Sequence, residues 1–307
     1  MAFTAQDVKK LREKTGVGMM DCKKALEACD GDMDKAVDLL REKGLAAAEK
    51  KAGRIAAEGM AYAVSVDGVG AIVEVNAESD FVAKNELFVD YVEKVAQVVV
   101  DKNPADLEAL FAAEYPGESK TVQEVQNDKV LVIGENIKVR RFHRYADGVS
   151  IPYVHMGGRI AVLLNLAVVE EYKNNEDVIE LGKDLAMQVA ALRPEFLDKS
   201  VVPAEFIERE KEIRSNQAKQ DPRNANKPEH IMEKIVNGGL NKYLGEICLM
   251  QQAFVKDDKI SVEKHVKAVS KKIGSEIKIV DYVRYERGEG LEKRSDDLAA
   301  EVAKLVK

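Results

Sequence analysis

Residues 70–100 read GAIVEVNAESDFVAKNELFVDYVEKVAQVVV, and the change of period inside this stretch decides the fold. Up to Asn76 the residues suit a strand. YAVSV (Tyr62–Val66) precedes them across Asp67-Gly68, the kind of residue pair a two-residue hairpin turn requires. An antiparallel hairpin is therefore expected over Tyr62–Val75. From Glu86 to Val100 the apolar residues crowd at helical spacing, so the hairpin leads into a strongly apolar helix.

The same order returns later in the chain. RIAVLLN (Arg159–Asn165) echoes GAIVEVN (Gly70–Asn76): each run ends on Asn, passes a short polar stretch and gives way to an apolar helix, the second over about Asp177–Leu192. Residues 129–145, KVLVIGENIKVRRFHRY, read as strand. So do Pro152–Leu166, around a turn near Met156-Gly157-Gly158, and Ile277–Arg287, IKIVDYVRYER. The expected class is α+β, with a core of two related subdomains that each carry a small antiparallel sheet and helices. The first spans 61–150. The second spans 151–202 and 245–288.

Around this core the chain reads as helical. Residues 1–45 predict three short helices. Thr4-Ala5-Gln6-Asp7 is a capping-box-like start, with Val8 and Leu11 on one face. Met19, Cys22, Leu26 and Cys29 give a second helix, and Asp32 caps a third that carries Met33, Ala36, Val37 and Leu40, with Gly44 as its stop. So small a module is marginal alone and suits docking. Residues 46–60, alanine-rich and charged, predict a helical linker. In Glu208–His230 only Ile213, Ala218 and Ala225 of 23 residues are apolar, against eleven charged ones. Such a segment cannot line a core. Residues 203–244 are therefore expected to project as a helical hairpin that bends at Pro222 and Pro228. Residues 289–307 form a C-terminal module with a last amphipathic helix, Leu298 and Val302 on one face.

Composition narrows the function. Lys and Arg number 47 against 54 Asp and Glu, for a net charge of −7. An acidic chain is a poor holder of nucleic-acid phosphates. Lys138, Arg140, Arg141, His143 and Arg144 form the basic run that speaks for the other side. Three cysteines (Cys22, Cys29, Cys248) and four scattered histidines build neither a disulfide framework nor a zinc site. No signal core and no run of 18 apolar residues occurs, so a soluble cytoplasmic protein with no membrane contact is expected. GxxxxGK[ST], GxGxxG after a strand, HExxH and GxSxG are all missing. Cys22 sits where packing claims it. The sequence offers no site for covalent chemistry, and no cofactor or metal is expected.

One segment is odd on physical grounds. Asp80-Phe81-Val82 places an acid beside two apolar residues near a helix start. Asp80 could cap that helix with Phe81 stapling it, or Phe81 could be an exposed wedge with Asp80 as an acceptor beside it. The pattern accommodates both.

LREKTGVGMMDCKKAL (Leu11–Leu26) and EVNAESDFVAK (Glu74–Lys84) resemble signature segments of the bacterial elongation factor Ts family, guanine-nucleotide exchange factors for elongation factor Tu. IGENIKVRR (Ile133–Arg141), YVHMGGRIAVL (Tyr153–Leu163), RPEF (Arg193–Phe196) and RYERGEGLEKRSDDLAAEVA (Arg284–Ala303) fit as well, so the resemblance covers essentially the whole chain. Ser79 stands where the family usually has Thr, Ala77 where it often has Cys, and Met156 is an extra residue after His155.

The resemblance implies a residue-by-residue expectation. Met19, Met20 and Lys23 match the stretch by which the N-terminal bundle, similar to ubiquitin-associated-type three-helix modules, docks on the partner's GTPase domain; Lys51 is a weaker candidate. Ser79, Asp80, Phe81 and Val82 match the loop that disturbs the partner's magnesium and phosphate site, and Ile133 packs near it. His155 matches a contact to the partner's third domain. Leu298 and Val302 match the C-terminal module that also grips the GTPase domain. The 203–244 arm matches a coiled-coil excursion that could pair two complexes. The implied partner is elongation factor Tu, GDP-bound and nucleotide-free, without direct nucleotide binding by this chain. An adaptor that binds without accelerating release, a nucleic-acid-binding translation protein and an enzyme are the alternative classes.

Overall fold

A computed structural model of the chain describes residues 3–224 and 227–293. Three helices open it: α1 (Ala5–Thr15), α2 (Met19–Ala28) and α3 (Met33–Lys51). Thr4 and Asp7 cap each other's backbone N–H at the start of α1, and Asp32 takes the N–H of Asp34 and Lys35 at the start of α3. Val8, Leu11, Cys22, Ala25, Leu26, Ala36 and Leu40 fill the space between the helices.

The first half of the core runs β1 (Glu58–Val66), β2 (Val69–Ala77), α4 (Glu86–Lys102), α5 (Leu107–Ala112), α6 (Val122–Ile133) and β3 (Lys138–Tyr145). The second runs β4 (Val149–His155), β5 (Ile160–Ala167), α7 (Glu176–Leu192), α8 (Ala204–Gln220), α9 (Glu229–Ile247), β6 (Ala253–Phe254), β7 (Asp257–Ser261), α10 (Val262–Ile273) and β8 (Lys278–Glu286). The sheets are antiparallel, in the orders β1-β2-β3 and β4-β5-β8, with β6-β7 as a small third.

The two halves repeat one plan. The echoing runs are the central strands, β2 and β5. Each has a register irregularity near its end, passes a short 3-10 turn and enters a 17-residue helix capped by an asparagine, Asn85 or Asn175. Strand alternation then sets the layers. Ala71, Val73, Val75 and Ala77 of β2 pack under α4 against Phe88, Tyr91 and Val95, while Ile72 points the other way. Val162, Leu164 and Leu166 of β5 pack under α7, while Ala161 and Leu163 point back toward Ile72. The order of layers is helix, sheet, sheet, helix. Small residues, Ala61, Ala63 and Ala161, line the sheet–sheet seam. At Gly70 a Cβ would lie 2.5 Å from Ser150 Cβ, so the seam closes there only on glycine. Because both faces of β2 and β5 are covered, both strands read as almost continuously apolar.

Several expectations need correction. Gly44 does not stop the third helix. α3 continues to Lys51, so the helical linker expected over 46–60 is the end of α3, a turn, and then β1 from Glu58. KVLVI, read as strand over 129–133, is the end of α6; a capping box between Thr121 and Glu124 starts that helix and Gly134, in the left-handed region, ends it. The two arms of the hairpin expected over 203–244 are α8 and α9, which pack on each other, and the return arm runs to Ile247, three residues beyond the expected end. α10 and β6-β7 were not anticipated. The expectation of a C-terminal helix carrying Leu298 and Val302 falls on residues outside those described. Among those described, no helix is long and apolar enough to cross a membrane.

Candidate functional site: a pinned loop with an exposed aromatic tip

β2 delivers the chain to residues 78–81, and the loop there is held at its base. The Glu78 and Ser79 backbone N–H groups both donate to Glu135 Oε2 at 3.0 Å, and Ser79 Oγ donates to Glu135 Oε1 at 2.6 Å. The reverse bond exists too: the Asn136 N–H donates to Glu78 Oε1 at 2.7 Å. Asn136 Nδ2 reaches the Arg54 carbonyl at 2.9 Å, and the Arg54 guanidinium lies 3.4 Å from Glu78 Oε1. On the far side of the tip, Val82 and Ala83 are buried.

Between these anchors Phe81 is 82% exposed. Its backbone is helical (φ −64°, ψ −43°), so no backbone strain is spent on showing the ring to solvent. Asp80 is half-exposed, 3.7 Å from Lys84 Nζ. It caps nothing: Asn85 caps α4, taking the Leu87 N–H at 2.9 Å. The staple alternative is thereby removed and the exposed ring remains. Sequence reasoning missed Glu78, Glu135, Asn136 and Arg54. Glu135 and Asn136 stood in the IGEN run, but their partners lie more than fifty residues away in the chain.

The other candidates lie on separate surfaces. Met20 is 62% exposed and Met19 41% on the open side of α2, opposite the buried Cys22, Ala25 and Leu26. Lys23 is exposed and 3.6 Å from Glu27. Lys51 turns inward. Its ammonium donates to the Val130 carbonyl at 3.3 Å, and partial burial lowers its pKa, so it ties α3 to α6. Ile133, the last residue of α6, is half-buried against the first core. His155 is exposed at the end of β4, with Nδ1 3.0 Å from Tyr153 Oη. Met156 stands beside it at the hairpin turn, 66% exposed and at φ +49°.

The chemistry these groups can perform is contact. Burial raises the Cys22 thiol pKa, and Cys22 Sγ donates to the Val17 carbonyl, so that thiol is not poised as a nucleophile. Among the described residues no cluster of three or more His, Cys, Asp or Glu could hold a metal ion. The basic run of β3 is largely spent internally. Arg140 and Arg141 bond Glu74, and Arg144 Nε donates to the Val100 carbonyl. An exposed ring on a pinned loop, with exposed methionines on a helical module, is an arrangement suited to contact with another macromolecule.

Comparison with known proteins specifies the class. The family model described as Elongation factor TS matches residues 78–289. The chain is 50% identical to Elongation factor Ts of Syntrophotalea carbinolica over 309 aligned positions, covering all of both chains. It is 48% identical to that of Trichlorobacter lovleyi, over 99% of this chain and 98% of the other. It is 49% identical to that of Clostridium perfringens, over 99% of each. The chain belongs to the elongation factor Ts family, and its role is in translation elongation.

Proposed function

We propose that this chain is a guanine-nucleotide exchange factor. It binds GDP-bound elongation factor Tu, inserts the loop Ser79-Asp80-Phe81-Val82 near the partner's Mg²⁺ and phosphate site, and promotes GDP release so that GTP can bind. The carrying observation is the exposure of Phe81 between two anchored neighbours. Met19, Met20 and Lys23 dock on the GTPase domain, and His155 reaches the third domain. Ile133 and, more weakly, Lys51 contact the partner beside the loop, and Leu298 and Val302 belong to the last contact. The arm formed by α8 and α9 pairs complexes or extends the contact. The chain makes and breaks no covalent bond, and it acts where translation occurs, in the cytoplasm.

The physics is linkage. Mg²⁺ demands near-ideal octahedral geometry, so a small displacement of its ligands lowers nucleotide affinity steeply. An exchanger that prefers the opened partner and a nucleotide that prefers the closed one weaken each other by the same factor. A shift of about 10⁴ needs about 5.5 kcal/mol of differential binding. Burying one phenylalanine supplies about 1.5–3 kcal/mol. Phe81 alone is too small, so the bundle and both core halves must share the task.

Stopped-flow release of a fluorescent GDP analogue from elongation factor Tu tests this. The chain should accelerate release, and Phe81→Ala should slow it without abolishing the complex. No acceleration by the unmodified chain overturns the exchange reading. An unchanged rate with Phe81→Ala overturns the wedge.

A further inference from the structure

We infer that Glu135 and Asn136 are positioning residues: they set the loop that carries Phe81 and tie it to the frame that carries the docking bundle. This rests on the exchange reading above and adds what holds the wedge in place.

The base of the loop is a closed ring of bonds between three chain segments. Glu135 accepts from the Glu78 and Ser79 backbone and from the Ser79 hydroxyl. Glu78 accepts from the Asn136 backbone, and Asn136 donates to the Arg54 carbonyl. Hydrogen bonds to an ionised acceptor are the strong ones, and one carboxylate here takes three. Phe81 lies in ordinary helical backbone and is 82% exposed, with little of its own chain to hold the ring. Its aim is therefore set from outside, by Ser79 on one side and by buried Val82 on the other.

The same ring reaches the docking module. Arg54 follows α3, which runs without a break from the bundle. Glu135 follows α6, and α6 lies along α3. Arg41 of α3 pairs with Glu124 of α6, Lys51 Nζ bonds the Val130 carbonyl, and Leu131 and Val132 pack into the bundle core. Both helices end at the loop base. Where the bundle sits on the partner thus determines where the ring points, which is the condition under which docking energy can be used at a remote tip.

The test uses the full chain and elongation factor Tu loaded with fluorescent GDP. Release rate is measured against exchanger concentration and split into a maximum rate and a half-saturating concentration. Glu135→Ala should lower the maximum by about tenfold while half-saturation moves less than about twofold, because the docking surfaces are intact. Glu135→Gln should retain most of the rate: its Oε1 can accept both backbone N–H groups while its amide donates to Ser79 Oγ. Ser79→Ala should fall between. Amide exchange of Glu78 and Ser79 in the free chain should be protected, and should quicken in Glu135→Ala while the rest of β2 keeps its protection. This readout needs no partner. Three results overturn the inference: a Glu135→Ala curve that coincides with the unmodified one, a loss confined to half-saturation, or unchanged amide exchange. If Glu135→Ala does not fold, Ser79→Ala decides by the same criteria. Failure of the unmodified chain to accelerate release would instead strike the exchange reading itself.

Discussion

Phe81 and Val82 are neighbours in sequence and opposites in burial: the first is 82% exposed, the second 7%. Val82 belongs to the core under α4, whereas the ring before it touches almost nothing of its own chain. The pair separates stability from function. Phe81→Ala should leave the unfolding free energy within about 0.5 kcal/mol, as surface changes do. Val82→Ala removes buried methyl groups and should cost about 1–2 kcal/mol. Denaturant midpoints of the two variants check this; a large loss with Phe81→Ala would mean the ring packs at home.

Buried Glu74 is the main electrostatic tie at the sheet–sheet seam. Its carboxylate is fully buried and meets Arg140 Nη1 at 3.0 Å, Arg141 Nε at 2.5 Å and the Gly288 N–H at 2.8 Å. Arg141 also lies over the Tyr285 ring, 4.1 Å from its centre. Removing the acid takes the buried partner from two guanidinium groups that are about a quarter to a third exposed, leaving Arg140 the Glu289 carbonyl and Arg141 the Glu289 carboxylate at 3.4 Å. Glu74→Ala should therefore cost about 3 kcal/mol, and Glu74→Gln less. Amide exchange at Gly288 should quicken in the Ala variant, since its acceptor is gone. An unchanged unfolding midpoint in Glu74→Ala would show that the arginines find other partners.

His265 gives the second half a pH dependence. Its ring stacks on buried Phe254, centroids 4.1 Å apart, and joins α10 to β6. Burial lowers its pKa below the ordinary 6.5; Asp184 and Glu180 oppose that shift and Lys256 adds to it. A depressed histidine means the unfolded chain binds the proton first. The contribution is complete above the unfolded pKa and is lost as pH falls toward the folded one. Between about pH 7.5 and about pH 5.5 the unmodified chain should lose stability that His265→Phe retains, measured by urea unfolding at each pH. Parallel losses in both would remove His265 as the cause.

The parts that were legible in the sequence share a physical reason. The hairpin at Asp67-Gly68 and the echo of Gly70–Asn76 in Arg159–Asn165 were readable because turn chemistry and strand period are local. KVLVI misled because its β-branched run looks like strand, while the decisive signals, Thr121 with Glu124 and the stop at Gly134, flank it. α10 was readable in principle, since Ser261 caps it and Val262, Val266, Val269 and Ile273 recur at helical spacing. At the site, exposure of Phe81 was undecidable from pattern, because a staple and a wedge use the same residues. The better cap, Asn85, settles it. The Glu135 clamp was not legible at all, since it pairs segments that only the sheet brings together.

Gly44 sharpens that lesson into a last prediction. Read alone, a glycine after Lys43 ends a helix; in the fold it sits inside α3, where that helix presses on α6. A Cβ at this position would lie 3.4 Å from the Asn127 carbonyl oxygen and 3.6 Å from Asp128 Oδ1, which is ordinary contact. Gly44→Ala should therefore fit, and it gains helix propensity, so stability should rise by about 0.5–1 kcal/mol. Gly44→Leu has no room to extend and must push α3 away from α6, at a cost of about 1–3 kcal/mol. It also pulls on the Arg41–Glu124 pair and on the Lys51 bond to Val130. Thermal unfolding of the two variants should move in opposite directions from the unmodified chain. If both move the same way, the close approach of α3 to α6 is not what limits side-chain size at this position.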